Sequence, residues 1–143
     1  KNIDFDVNLV LGKLNENQKK ISKLISKKSN FHIISNPSSL ISLMDQSIIG
    51  IITFGLTVYE SAICNLPTIV ISHSNENKKS AQLVKEYGFI SYAGKYDEIN
   101  YDKLVKQLLD LLNNKMELKK MQNACSQIDG LGPHRVAEII KKL

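Results

Sequence analysis

Thr57 and Glu60 stand three residues apart, directly behind Phe54-Gly55, where an apolar run gives way to a helical pattern. Two kinds of chemistry suit that spacing. The bland one is a capping box: the Thr57 hydroxyl accepts from the Glu60 backbone N–H, and the Glu60 carboxylate reaches back to Thr57. The other is ligand binding. The first turn of a helix leaves backbone N–H groups unpaired and carries partial positive charge, which suits a phosphate. Gly55 lets the backbone approach closely, because no Cβ stands in the way. A glutamate is a poor neighbour for phosphate but a good acceptor for two ribose hydroxyls, so the capping and binding roles are compatible.

No other constellation is as specific. His73 ends a strand and reads first as a hydrogen-bonded loop histidine, second as a sugar or phosphate contact. His134 and Arg135 beside Gly132-Pro133 suggest an ion pair at a helix start, and Asp129-Gly130 is most simply a turn. Tyr59 reads as packing. Asp45, Asp97 and Glu98 show no pairing suited to acid–base work. No Ser or Cys nucleophile has a partnered base in a recognisable order, so the catalytic residues are unknown. The three histidines (His32, His73, His134) and two cysteines (Cys64, Cys125) are scattered without ligand spacing, which gives no metal site. Both cysteines read as small core hydrophobes in a reducing compartment.

Composition sets the outer bounds. The 143 residues suit one domain with an ordinary core, and 43% apolar with 23% charged residues is a normal globular balance. No apolar run approaches the ~20 residues of a membrane span. The chain opens Lys1-Asn2-Ile3-Asp4, without an initiator Met or a secretory signal, and is expected to be a piece of something longer in the cytoplasm. The net charge of +5 lies largely in lysine pairs at 19–20, 27–28, 78–79, 119–120 and 141–142. These read as solvated helix faces, with weak attraction for phosphates or the inner face of an anionic membrane as the second reading. One arginine and no interleaved aromatics argue against a nucleic-acid partner.

The elements that must position Thr57 and Glu60 alternate. "DVNLVLG" reads as a strand, followed by a lysine-rich helix near 16–28 with Ile21, Leu24 and Ile25 on its apolar face. "FHII" is a second strand. A short helix after Asn36-Pro37 carries Leu40, Leu43 and Met44. "IIGIIT" reads as a strand buried on both faces. The helix from Val58 stops at Asn65-Leu66-Pro67, because Asn tolerates the left-handed cap and Pro cannot continue. "TIVIS" is the fourth strand, and the polar loop His73 to Asn77 leads into a helix that Gly88 ends. "FISYAG" reads as an edge strand. Helices follow near 101–112, 116–126 and 136–143. Strands separated by helices force crossovers, hence an α/β, Rossmann-like three-layer fold with a parallel sheet. Ligands of such sheets bind beyond the carboxyl ends of the strands, which here are the loops after Leu11, Ile34, Thr53 and Ser72.

With those residues placed, "LTVYESAICNLPTIVIS" resembles the nucleotide-binding segment of GT-B glycosyltransferases, near the UDP-GlcNAc transferase that completes lipid II. It is also similar to the nucleotide-sugar hydrolase of the pseudaminic acid pathway and to spore-coat polysaccharide proteins. "DGLGPHRVAEII" is similar to the Asp-Gly-x-Gly-x-x-Arg run of the last two. The resemblance implies that Gly55, Leu56 and Thr57 contact a diphosphate through backbone N–H groups and that Glu60 holds the ribose. It further implies that Ile34, Ser35 and Asn36 meet the uracil, and that His73, Asn75, Glu76 and Asn77 meet the sugar. Where relatives carry two small residues in the turn, this chain has Phe54 before Gly55. The element order begins one strand and one helix late, as in a GT-B half truncated at its N-terminus. An N-terminal domain or partner chain would then bring the acceptor and the base, with no metal or other cofactor required.

The leading expectation is therefore the UDP-sugar-binding half of a glycosyltransferase or UDP-sugar hydrolase of surface-polysaccharide synthesis, inactive in isolation. The alternative is a non-catalytic module of the same fold that docks a partner, with Glu60 kept for capping. A receiver-type doubly wound domain is disfavoured, since no acidic cluster ends the first strand and no Lys is expected to end the last.

Overall fold

Strand and helix alternate from Val7 to Lys95, and every strand pair is parallel. The computed structural model describes residues 5–143, and the chain divides into two compact units, Lys1–Leu40 and Ile41–Leu143.

The first unit is a βαβ crossover: β1 (Val7–Leu11), α1 (Gln18–Ile25) and β2 (Phe31–Ser35). Leu9 pairs with Ile33 and Leu11 with Ser35, so the two strands end level. Helix α1 is shorter than its lysine-rich pattern suggests. Asn17 precedes it without a side-chain cap, and the Lys28 N–H turns back to Ile25 O at 2.8 Å. Ile21 and Ile25 are half-buried as the periodicity requires. Leu24, expected beside them, is instead 75% exposed.

The second unit holds α2 (Ile41–Asp45), β3 (Gly50–Thr53), α3 (Leu56–Ile63), β4 (Thr68–Ser72), α4 (Asn75–Lys85) and β5 (Ile90–Lys95). Helices α5 (Tyr101–Asn113), α6 (Lys115–Cys125) and α7 (Gly132–Ile140) follow. The sheet order is β3-β4-β5, so "FISYAG" is an edge strand as expected. Strand β4 is central, with Ile69, Val70 and Ile71 between a buried Thr68 and Ser72, and its alternation builds two cores. Val70 faces Phe54, Val58, Ala62, Ala81, Phe89 and Cys125. Its neighbour Ile69 faces Leu111, Leu118 and Met121. Helices α3 and α4 thus cover one face and α5 the other, with α6 reaching both. This is the Rossmann-like three-layer arrangement.

Three local expectations are corrected. Strand β3 is not buried on both faces: it pairs only with β4 in its sheet, and Ile51 is 47% exposed. The final helix starts at Gly132, not Val136. Pro133 sits in its first turn, where the missing N–H costs nothing. A lysine does end the last strand, Lys95, although no acidic residue ends β1 at Leu11-Gly12. Asn65 closes α3 with φ 53°, the left-handed cap read from Asn65-Leu66-Pro67.

Candidate functional site

The register of the second sheet sets out the site. Thr53 pairs with Ile71 and Ser72 with Lys95, so the carboxyl ends of β3, β4 and β5 are nearly level. Two further bonds extend the ladder into the loops: Phe54 N–H to Ile71 O at 2.8 Å and Tyr96 N–H to Ser72 O at 2.9 Å. The turn 54–55, the turn 73–74 and the loop 96–100 therefore line one rim.

At the first of these turns the expected capping box is absent. Gly55, not Thr57, is the N-cap of α3, and no side chain caps the helix. Thr57 already lies inside the first turn, so its hydroxyl is misplaced to accept from Glu60. The Val58 N–H bonds back to Gly55 O at 3.1 Å, which leaves those of Leu56 and Thr57 at the open end. Nor does the fold itself demand a glycine here. The φ of 174° is extended backbone, and a Cβ at Gly55 would meet nothing within 4 Å. What a side chain would fill is the space in front of the helix.

Phe54 does not obstruct that space. It is buried among Val58, Val70 and Phe89, with its ring in the core and only its backbone at the turn. Helix α3 is fixed by its inner face: Val58, Ser61 and Ala62 are buried, and Ser61 Oγ lies 3.0 Å from Thr68 Oγ1 on β4. Glu60, next to Ser61, is accordingly turned to solvent. Its side chain makes no hydrogen bond or ion pair among the described residues. Burial first, then the charges of Asp45 and Glu60, pushes the Cys64 thiol up.

The second turn also differs from expectation. Asn75, Glu76 and Asn77 are not loop residues but the first turn of α4, with Ser74 as N-cap. The Ser74 hydroxyl accepts from Asn77 N–H at 3.2 Å and donates to Asn77 Oδ1 at 2.8 Å. Its own backbone N–H, then the Ser74 hydroxyl, holds the Glu76 carboxyl below its usual range. Glu76 and Asn77 are thus engaged in the cap, while Asn75 and His73 are exposed. His73 makes no side-chain hydrogen bond among the described residues, contrary to its reading as a bonded loop histidine.

Sequence reasoning missed a charged network on the same rim. Lys95 Nζ lies 2.9 Å from Asp97 and 3.9 Å from Glu98, and Lys78 Nζ lies 2.7 Å from Glu98. Lys95 is only 16% exposed at its side chain. Each partner shifts the other: the Lys95 hydrogen bond lowers the Asp97 carboxyl, and the Asp97 bond raises the Lys95 ammonium. No motif signals this group, because only the β4–β5 register and the start of α4 bring Lys78 and Lys95 together.

The uracil candidates belong to the first unit. Ile34 and Ser35 end β2, with Ser35 Oγ accepting from Gln18 Nε2 at 2.9 Å. Asn36 adopts φ 47° and donates its N–H to Leu11 O at 2.7 Å. A shallow depression in this unit is lined by Asn15, Glu16, Gln18, Lys19 and Ser22, and holds none of the candidate residues. Among the described residues no cluster of His, Cys, Asp or Glu could hold a metal. Arg135 forms its expected ion pair at the helix start, clasping Asp129 with both guanidinium nitrogens. That pairing pulls the Asp129 carboxyl down to about 2.

No known protein-family profile matches the chain. It is 22% identical over 141 residues to the spore coat polysaccharide biosynthesis protein SpsG of Bacillus subtilis (strain 168), covering 98% of this chain and 42% of SpsG. Its fold is similar to that of a protein from Listeria monocytogenes described as a UDP-N-acetylglucosamine 2-epimerase. There the TM-score is 0.59 at 18% identity, over 96% of this chain and 45% of the other. The chain spans less than half the length of either. The structural likeness bears out the Rossmann-like α/β fold, and the sequence likeness makes the chain distantly similar to a spore coat polysaccharide biosynthesis protein. Among the described residues no helix is long and apolar enough to cross a membrane.

Proposed function

We propose that this chain is the nucleotide-sugar-binding half of a GT-B-type enzyme of surface-polysaccharide or glycan synthesis, taking a UDP-sugar. The observation that carries the reading is the state of Glu60. It is exposed and without a side-chain partner among the described residues, one turn into a helix whose start no side chain caps and across whose Gly55 a Cβ would meet nothing within 4 Å. A capping glutamate would be engaged; this one is available. The diphosphate would lie on the N–H groups of Leu56 and Thr57, and Glu60 would accept from the ribose hydroxyls. Asn75 and His73, just after the adjacent strand β4, are the exposed polar groups for the sugar, and the uracil candidates Ile34, Ser35 and Asn36 lie in the other unit.

Cleavage at the anomeric carbon releases a diphosphate, whose charge fixed backbone donors stabilise without reorganisation. The acceptor site and the base would come from a further domain or partner chain, and whether acceptor or water takes the sugar is decided there. The second reading is a non-catalytic module of the same fold that docks a partner; it loses the support of a capping Glu60, since no side chain caps α3, and the titration below separates the two.

The test is a titration of UDP and UDP-GlcNAc followed by amide NMR shifts, with Glu60→Ala alongside. Shifts centred on residues 55–60, weakened at least tenfold in the variant while its melting temperature is unchanged, support the site. Absence of binding at millimolar ligand in the parent chain sinks it.

A further inference from the structure

Residues 13–28 contain six lysines (Lys13, Lys19, Lys20, Lys23, Lys27, Lys28) and one acid, Glu16, a local charge of +5 that equals the net charge of the entire chain. All six are exposed. None forms an ion pair among the described residues, whereas Lys78, Lys95, Lys120 and Lys141 elsewhere in the chain do. Lys28 alone has a partner, the ring of Phe31 at 5.1 Å. With 3.6 residues per turn, Lys19, Lys20 and Lys23 share about 100° of the α1 surface, opposite Ile21 and Ile25, which pack inward. Two large apolar side chains accompany the lysines in solvent: Leu14 is 92% exposed and Leu24 75%.

We infer that α1 and its flanking turns form a docking face for an anionic lipid bilayer. A cluster of four to eight lysines attracts an anionic leaflet within a Debye length of its surface; α1 supplies three and its flanking turns three more. Exposed leucines beside them suit the boundary between headgroups and acyl chains, where an amphipathic helix lies in the plane. The same leucines have no use on a phosphate backbone. A nucleic-acid partner would also call for arginine forks and stacking aromatics, and the one arginine is already bound to Asp129. The excess charge of the chain thus sits on this one segment, and the residues outside it sum to zero.

The experiment is vesicle co-flotation of the chain with phosphatidylcholine alone and with phosphatidylcholine mixed with phosphatidylglycerol, at low and high salt. Binding is expected to the anionic vesicles only, and to fall with salt. Lys19→Gln, Lys20→Gln and Lys23→Gln combined should weaken it roughly a hundredfold, at about fivefold per lysine. A charge-matched control, Lys103→Gln, Lys106→Gln and Lys119→Gln on α5 and α6, should leave binding within a few-fold of the parent. These are exposed positions, and circular dichroism verifies that both variants keep the fold. Failure to bind anionic vesicles, equal losses in the two triple variants, or tighter binding to an oligonucleotide than to vesicles each overturns the proposal.

Discussion

Gly55 separates two explanations of a glycine in a turn that are often confused. A glycine forced by backbone conformation needs a positive φ, and one forced by packing needs a neighbour within reach. Gly50 is of the second kind, since a Cβ there would sit 3.1 Å from Thr68 Cγ2 and 3.2 Å from Leu66 Cδ2. Gly55 is of neither kind. Gly55→Ala should therefore leave stability within about 0.5 kcal/mol by thermal or urea unfolding, the range of a neutral surface change. Its effect should appear in UDP affinity, because a methyl group would occupy the space a phosphate needs. A variant that unfolds early, or binds UDP as the parent does, contradicts this account of the turn.

Among the elements, α4 and α7 show how local chemistry holds the rim and its flank. Ser74 is the one side-chain cap on the helix carrying Asn75 to Asn77. Ser74→Ala should cost about 1 kcal/mol in chemical unfolding and increase amide exchange in the first turn of α4. Helix α7 begins with a different device, in which Asp129 accepts both from Arg135 and from the Leu131 N–H at 3.0 Å. The Asp129 carboxyl is lowered from 3.8 to about 2 by that pairing. A carboxyl lowered in the folded state stabilises it above the unfolded value and loses that contribution as pH falls through the folded value. Amide protection in α7 should accordingly decline as pH drops from about 4 towards 2 in the parent chain. In Asp129→Asn that step should be missing. Identical pH profiles for the two proteins would mean that the pair does not hold the turn.

For the whole molecule, β4 is the decisive strand. Ile69 and Val70 are both fully buried, on opposite faces, and each belongs to a separate core. Ile69→Ala should destabilise the second unit by about 2–5 kcal/mol, through lost burial and the cavity left among Leu111, Leu118 and Met121. A change below 1 kcal/mol in urea unfolding would show that α5 and α6 are not packed on the sheet as described. The same strand carries the loop to Ser74, so a loss of core packing there should also blur the rim.

The sequence by itself determined the element order, the parallel pairing, the edge position of β5 and the left-handed close of α3. These follow from local chemistry: crossovers force parallel strands, alternation and apolar runs mark them, and Asn before Leu-Pro ends a helix. It also pointed to residues 55–60 by pattern and resemblance. What it could not decide was the exact start of each helix. Thr57 and Asn77 are as good capping residues by type as Gly55 and Ser74, and the choice between them is made by where β3 and β4 end against their neighbours. Only the tertiary structure turned Phe54 inward, freed Glu60 from its supposed capping box and brought Lys78 at the start of α4 to Lys95, Asp97 and Glu98 at the end of β5. Side-chain direction depends on strand register and on which helix face is buried, and those are properties of contacts between segments far apart in the chain.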